Sequence, residues 1–412
     1  MNILLINHYA GSPSLGMEYR PYYMAHEWQK AGHNPLIVAA SNAHVRSKQF
    51  KLKKDFKKYN IEGINYLILK TPKYSGSGMM RVLNMAAFTQ KLYKYSKKIA
   101  NEFKPDIVIA SSTYPLDIYP ARKIAKLSRA KLIFEVHDLW PLSPIELGGY
   151  SKWHPFIMIM QHAENYAYSH TDIVVSILPG ILGHMTEHGL NPKKFRYIPN
   201  GVVVDKWDPN KKIPAKINTI IKQSKARNRT LIGYAGSHGL ANSLNSLIDA
   251  MKILKNKKID LLLIGDGPEK ERLIQQANKL RLKNIHFIPH ISKTMIPSLL
   301  NKLDILYIGT KKQPLYRFGI SPNKLIDYMM AGKPIIQAVK TYNDIVSEAK
   351  CGIPVEPENP QAIAKAIKEL TTFPQKTLKE MGENGRKYCL VNHDYKTLAS
   401  KFIEAMQDNK RH

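Results

Sequence analysis

The sequence predicts an α/β protein of two doubly wound, Rossmann-like domains, and three observations carry that expectation. A chain of 412 residues is too long for one compact core, so two domains of about 200 residues each are the natural division. Short runs of Leu, Ile and Val alternate with longer amphipathic stretches, the order that builds parallel sheets covered by helices. That plan runs once from the N-terminus and starts again near residue 230, after a polar, lysine-rich tract. The expected domains are 1–205 and 206–392, followed by a helical segment at 393–412, with the hinge between Asn200 and Pro214 near Asp208-Pro209.

In order, Asn2 to Asn7 reads as a buried strand, His8 to Gly16 as a loop, Met17 to Ala31 as a helix ended by Gly32-His33, and Leu36 to Ala40 as a second strand. This strand, helix, strand unit with a glycine in its first turn opens a doubly wound sheet. It lacks the full spacing of a dinucleotide fingerprint and alone points to no ligand. Residues 41–104 say least: lysine clusters, a Gly76-Ser77-Gly78 loop and a helix through Met85 to Phe103. Pro105 to Ser112 is a strand and Leu116 to Leu127 a helix. The strand Lys131 to Val136 then delivers His137-Asp138-Leu139-Trp140-Pro141 at its carboxyl end, where open α/β sheets bind ligands. A satisfied structural histidine is the other reading of His137. Trp153 to His170 is a long helix whose Phe156 to Met160 run is apolar all round, read as core rather than membrane contact. Asp172 to Ser176 and Lys194 to Ile198 complete the first sheet, and Pro199-Asn200-Gly201 marks a sharp turn.

The second half repeats the plan. The strand Thr230 to Ala235 enters Gly236-Ser237-His238-Gly239 and a helix over Ser243 to Lys255; small residues there let a pyrophosphate approach the backbone. Strands at Ile259 to Ile264, Ile285 to Ile288 and Asp304 to Ile308 lead to the most structured stretch, Arg317 to Pro334. Ser321 suits an N-cap, Pro322 the first helical position, and Gly332 the end after about three turns. A helix N-terminus carrying Lys324 suits a phosphate, and Asp327, one turn beyond Asn323, suits a sugar hydroxyl. Lys324 and Asp327 are equally spaced for an ordinary surface ion pair worth a few tenths of a kcal/mol. Strands Pro334 to Ala338 and Gly352 to Val355 follow, and the last helix covers about Tyr395 to Met406.

Composition narrows the partners. A net charge of +30 and a pI near 9.8 imply attraction to an anionic surface. Basic clusters such as Arg46 to Lys54, Lys57-Lys58 and Lys91 to Lys98 interleave with apolar residues, and lysines near anionic lipid contribute about 1 kcal/mol each. No nucleic-acid module accompanies them, and a lysine-rich solvated surface is the alternative. Cys351 and Cys389 form no pairing framework, and no Cys/His cluster stands at metal spacing, which fits a reducing cytosol and argues against a zinc site. There is no Asp-x-Asp metal motif. The N-terminal apolar run is too short for a signal peptide, and nothing reaches the roughly 18 apolar residues of a membrane span. A cytoplasmic protein, soluble or peripheral to the inner face of the membrane, is expected.

The run SPNKLIDYMMAGKPII resembles the signature helix of the group-1 (family 4) retaining glycosyltransferases of bacteria, in which a glutamate, seven residues and a second glutamate recur. Asp327 matches the second acid, while Gly319 stands where the first would be. The Ser-Pro-Asn-Lys variant resembles the branch that builds surface polysaccharide, including N-acetyl-L-fucosamine transferases. The opening loop is similar too, and the resemblance turns Gly16, Glu18 and Arg20 toward the acceptor side; a helix N-terminal acid and a solvated base are the plain readings of the last two. His-Asp-Leu-Trp-Pro resembles a segment whose histidine reaches the donor sugar and phosphate, which assigns His137 and, beside it, Asp138. Family members often carry an arginine and a lysine where Ser237 and Asn242 stand, so phosphate charge falls to Lys324, Arg317 and helix dipoles. The backbone near His290, Ile291 and Ser292 would edge the base.

The resemblance implies the GT-B arrangement: two Rossmann-like domains facing a cleft, the first binding acceptor, the second binding nucleotide-sugar, and the terminal helix crossing back to the first. It implies metal-independent, retaining transfer from a UDP-sugar to a lipid-linked or polysaccharide acceptor at an anionic membrane, with no cofactor and no nucleic acid. Catalytic roles fall to His137, Asp138 and Lys324. Donor contacts fall to Gly236, Ser237, His238, His290, Ile291, Arg317, Ser321, Asn323, Lys324 and Asp327. A nucleotide-sugar epimerase of the same architecture and a basic, non-enzymatic binding protein are the rival readings.

Overall fold

The computed structural model describes residues 1–76 and 78–408; Ser77 of the expected glycine loop and residues 409–412 of the expected terminal segment lie outside them. The chain forms two compact units, Met1–Asn200 together with the segment that starts at Tyr395, and Gly201–Asp394. The division therefore falls at Asn200 and Asp394, beside the 205 and 392 read from the sequence.

The first unit is an eight-stranded sheet of β1 (Asn2–Ile6), β2 (Asn34–Ala40), β3 (Lys57–Ile61), β4 (Ile64–Leu69), β5 (Ile107–Ala110), β6 (Lys131–Val136), β7 (Ile173–Ser176) and β8 (Phe195–Tyr197). Its order is β3-β4-β2-β1-β5-β6-β7-β8, parallel throughout except where β3 meets β4. That antiparallel hairpin is absent from the sequence reading. Its turn is Glu62-Gly63, both with positive φ, the two-residue geometry that matches strand twist. The crossovers carry α1 (Arg20–Lys30), α2 (Met79–Phe103), α3 (Ile118–Ser128), α4 (Leu142–Gly148), α5 (Pro155–His170) and α6 (Leu182–Glu187). α1 starts three residues later than expected, with Pro21 in its first turn, and α2 six residues earlier. In α5, Ile157 and Met160 are buried, but Met158 and Ile159 are more than half exposed, so the apolar run is core on one face only.

The second unit is a six-stranded parallel sheet of β9 (Thr230–Ala235), β10 (Ile259–Ile264), β11 (Ile285–Ile288), β12 (Ile305–Gly309), β13 (Ile335–Ala338) and β14 (Gly352–Val355), ordered β11-β10-β9-β12-β13-β14. Its helices are α7 (Ala215–Ala226), α8 (Leu244–Ile253), α9 (Lys270–Lys279), α10 (Ile296–Asn301), α11 (Asn323–Met330), α12 (Ile345–Glu348), α13 (Pro360–Thr372) and α14 (Gln375–Asn392). Strand β10 is buried along its whole length, the pattern of a sheet covered on both faces. Its one charge, Asp260, is paired with Arg229 at 2.7 Å and accepts a hydrogen bond from the Ser224 hydroxyl at 2.6 Å. The last helix, α15 (Tyr395–Gln407), packs in the first unit on α1, with Phe402 edge-on to the buried Trp28 at 5.2 Å. Among the described residues no helix is long and apolar enough to cross a membrane.

In each sheet the strand order reverses once, between β1 and β5 and between β9 and β12. Those switch points are where open α/β sheets leave a crevice at the carboxyl ends of their strands.

Candidate active site

In the first unit, the carboxyl ends of β1, β5 and β6 bring together a buried polar chain. Glu135, the one acidic side chain of β6 and buried in it, accepts from Arg20 Nε at 2.9 Å through one oxygen and from the Ser111 hydroxyl at 2.6 Å through the other. His137 Nε2 lies 2.9 Å from Ser111 Oγ and 3.2 Å from that second Glu135 oxygen. Burial works against a charged Glu135, but the Arg20 guanidinium, His137 and the Ser111 hydroxyl outweigh it and hold the carboxyl well below its usual range. Burial also works against a charged His137, and Glu135 and then Glu18 outweigh it, so the imidazole titrates above its ordinary 6.5. Glu18 moves upward, because it is enclosed and stands near Asp138. The arrangement presents an imidazole whose charged form is favoured by one carboxylate and faced by a second carboxyl that holds its proton more tightly than usual.

Arg20 corrects the sequence reading. It is not a solvated base: 2% exposed, it also donates to the carbonyls of Ile198 and Pro199. A guanidinium so enclosed is stable only with its donors filled and a carboxylate beside it. Arg20 thus acts on the site through Glu135. Neither Glu135 nor Ser111 was singled out in the sequence, although a carboxylate in an otherwise apolar strand, two residues before His137, was a visible signal. Gly16 lies at φ +100°, and a side chain there would meet the Ser47 backbone nitrogen at 2.7 Å, so its role is to let the opening loop fold onto that segment. Asp138 stands exposed at the strand end; its carbonyl accepts from the Trp140 nitrogen at 3.2 Å, and its carboxylate has no hydrogen bond or ion pair among the described residues.

In the second unit the turn after β9 lies against α11. Tyr328 of α11 donates its hydroxyl to the Ala235 carbonyl and accepts from the Ala235 nitrogen at 2.8 Å, which fixes the helix on the strand end. One turn earlier on the same face, Lys324 extends over Gly236 to the hydroxyl of Tyr234 at 2.9 Å and to Asn242 Oδ1. A side chain at Gly236 would meet the Tyr234 hydroxyl at 3.0 Å and Lys324 Nζ at 3.3 Å, so glycine keeps the space above this backbone open. Among the described residues Lys324 has no carboxylate partner, and burial lowers its pKa to about 8. Asn242, where a family lysine is usual, is here the acceptor that orients Lys324.

The surface ion pair allowed by the sequence does not form, because Asp327 is bonded instead to Lys293. His238 is fully buried, and neither ring nitrogen has a hydrogen-bond partner among the described residues. Burial, reinforced by the Lys270 ammonium, lowers its pKa to about 4, so the ring is neutral near pH 7. The His238 backbone nitrogen donates to the Asp266 carbonyl at 2.9 Å, and the carboxylate of Asp266 accepts from the His290 nitrogen at 2.9 Å, tying the segment at His290 to the same turn. Ser237 offers its carbonyl to Tyr234 and Asn242, Ile291 is buried, and Arg317 is exposed with its guanidinium over the ring of Phe318.

The helix start also needs correcting. Pro322, not Ser321, takes the N-cap position of α11, no side chain caps it, and the helix has 8 residues, nearer two turns than three. Pro322 supplies the first carbonyl, to Leu325, and its fixed φ suits a chain entering a helix. Gly319, where the family carries its first glutamate, lies at φ +99° and ψ 174°, a region reserved for glycine. The loop before α11 is pinned there by Asn343, which bonds the Ile320 nitrogen at 2.9 Å and carbonyl at 3.0 Å. The missing acid is therefore a property of the loop's backbone path.

Comparison with known proteins covers both units. Residues 15–206 match the family model Glycosyltransferase Family 4, and residues 215–388 match Glycosyl transferases group 1. The putative colanic acid biosynthesis glycosyl transferase WcaI of Escherichia coli is 22% identical over 362 residues, 85% of this chain and 87% of that relative. The probable glycosyltransferase WbjE of Pseudomonas aeruginosa is 20% identical over 303 residues, 72% of this chain and 74% of the relative. Anabaena HepE, solved in complex with UDP and glucose, is similar with a TM-score of 0.69 at 15% identity, covering 99% of this chain and 100% of that one. That likeness fixes the fold as GT-B, two α/β domains with parallel sheets. With each half matched by its own family model, the chain belongs to the group 1, family 4 glycosyltransferases.

Proposed function

We propose that this glycosyltransferase moves a sugar from a UDP-linked donor to a lipid-linked or polysaccharide acceptor in bacterial surface-polysaccharide synthesis, with retention at the anomeric carbon and without a metal ion. The observation that carries the donor assignment is Lys324, a desolvated cation above a bare glycine backbone with no carboxylate beside it. A diphosphate supplies the missing negative charge. The neutral His238 beneath the same turn, with two unused ring nitrogens, supports the reading. HepE's complex with UDP and glucose supports a UDP-sugar, and the relationship to WcaI supports a polysaccharide product.

In this reading the second unit holds the nucleotide-sugar. Gly236 to His238, the start of α11 at Ser321 and Asn323, and Lys324 cradle the diphosphate, with Arg317 adding exposed positive charge. As the nucleotide leaves, Lys324 and the helix dipole stabilise the charge that develops on it, which is the work a metal does elsewhere. Asp327, one oxygen held by Lys293, offers the other to a ribose hydroxyl. The backbone at His290, Ile291 and Ser292 edges the base. The first unit receives the acceptor. His137, its charged form favoured by Glu135, and Asp138 act on the transferred sugar, and Glu18 takes the acceptor hydroxyl. The +30 charge holds the enzyme on the anionic inner face of the membrane.

A panel of nucleotide-sugars, including UDP-N-acetyl-L-fucosamine, tests this by ligand-dependent thermal stabilisation. Stabilisation by UDP and selected UDP-sugars, with UDP release only when acceptor is added, is expected. An altered sugar on the nucleotide without acceptor identifies an epimerase instead. Salt-sensitive lipid or nucleic-acid binding with no response to any nucleotide overturns the enzymatic reading.

A further inference from the structure

Outside the machinery assigned above, one cluster of the first unit has the chemistry of a metal centre. His184 and His188 stand one turn apart at the end of α6, their rings 4.5 Å apart, so both face the same side. Across from them Glu164 of α5, its side chain 3% exposed, lies 3.3 Å from His184 Nε2. One ligand atom from each of the three residues falls within 4.8 Å of the others. Two ligands of one ion, each at about 2.1 Å, are at most about 4.2 Å apart, so the triad closes by small side-chain rotations. This spacing was in the sequence as His184-x-x-x-His188 and was passed over; Glu164, on a different helix, is brought to it only by the fold.

The polar atoms of the cluster are held in one hydrogen-bonded set around the Glu164 carboxylate. The Gln161 amide nitrogen donates to Glu164 Oε2 at 2.7 Å and to Asn165 Oδ1 at 2.8 Å, and lies 3.0 Å from His188 Nδ1. His188 Nδ1 also lies 3.1 Å from Asn165 Oδ1. The Tyr168 hydroxyl, at 2.9 Å, and His184 Nε2 both serve the other Glu164 oxygen. Tyr168 and Gln161 meanwhile hold the Glu164 carboxylate as outer-shell groups hold a metal-bound one.

We propose that Glu164, His184 and His188 bind a divalent transition-metal ion of the zinc class, clipping α5 to α6 and leaving the remaining coordination position to water. Two imidazoles and a carboxylate suit zinc, nickel or cobalt and not magnesium or calcium, which prefer oxygen. The site is separate from the transfer chemistry, which is proposed to need no metal.

The test uses the full-length, untagged protein, titrated with Zn2+ by calorimetry and with Co2+ by visible absorption. The wild type is expected to take up one equivalent and to gain thermal stability. His188→Ala and Glu164→Gln are expected to weaken that site by on the order of 100-fold or more, since outer-shell losses alone reach that size. UDP affinity is expected to stay unchanged in His188→Ala, whose ring is partly exposed and whose loss leaves the fold intact. No saturable equivalent in the wild type overturns the proposal. So does equal binding by wild type and His188→Ala, which would place the ion on other histidines.

Discussion

Lys324→Met separates a donor-binding lysine from a structural one, because it moves stability and affinity in opposite directions. Burial lowers the ammonium from 10.5 to about 8. At about 1.4 kcal/mol per pKa unit, that is roughly 3 kcal/mol set against the charged form in the unliganded fold. The group is partly exposed, and methionine gives up the bonds to Tyr234 and Asn242, each worth about 1 kcal/mol, so the net gain shrinks to on the order of 1 kcal/mol. Unliganded Lys324→Met is therefore expected to unfold at slightly higher urea than wild type near pH 7. Its UDP affinity, by calorimetry, is expected to fall on the order of 100-fold, about 3 kcal/mol, because a direct contact to a desolvated diphosphate is lost. The sign with pH follows. The folded pKa lies below the unfolded one, so the unfolded chain keeps a proton between about pH 8 and 10.5 that the fold has released, and wild-type stability gains on the variant through that window. Bound diphosphate restores the charge, so UDP binding near pH 8.5 is expected to take up protons, seen as heat that changes with buffer. A variant less stable than wild type, with unchanged UDP affinity, refutes the reasoning.

Three further perturbations address the rest of the site. Arg20→Ala leaves Glu135 buried without its cation and is expected to destabilise the protein by about 3–5 kcal/mol in denaturant unfolding, with UDP affinity intact; a near-neutral change contradicts the positioning role. His137 titrates above 6.5, so its cation and the stability from pairing with Glu135 persist below that value and are lost as pH rises through the raised pKa. kcat/KM is accordingly expected to fall on the alkaline limb in wild type, and His137→Asn, already slow, is expected to lack that limb; an identical profile in both excludes the imidazolium. Gly319→Glu restores the family's acid in sequence but forces a side chain into a glycine backbone conformation, so a stability loss of about 1–3 kcal/mol and no gain in turnover are expected. Higher activity in that variant would show that the loop readily re-forms.

Strands were the most legible feature, because fully buried parallel strands read as unbroken aliphatic runs, as in Ile259 to Ile264. The hairpin of Lys57–Ile61 with Ile64–Leu69 was not legible: its edge strand is mostly lysine, tyrosine and asparagine, and its turn signal is the single pair Glu62-Gly63. The site was legible where a motif concentrates it, at Ser321 to Asp327 and at His137. It was illegible where distant segments meet. That Lys324 turns to Asn242, that Asp327 turns to Lys293, and that Arg20 serves Glu135 are facts of packing between elements far apart in sequence. Spacing along one helix pointed to a Lys324 and Asp327 pair that the tertiary partners outcompete.

The most direct measurement is a crystal structure of the protein with UDP. The diphosphate is expected within hydrogen-bond distance of Lys324 Nζ and of the backbone between Gly236 and His238, with a ribose hydroxyl on Asp327. A diphosphate found instead in the basic cavity lined by Arg227, Arg281 and Lys283 of the same unit, with Lys324 still bonded only to Tyr234 and Asn242, would contradict the account.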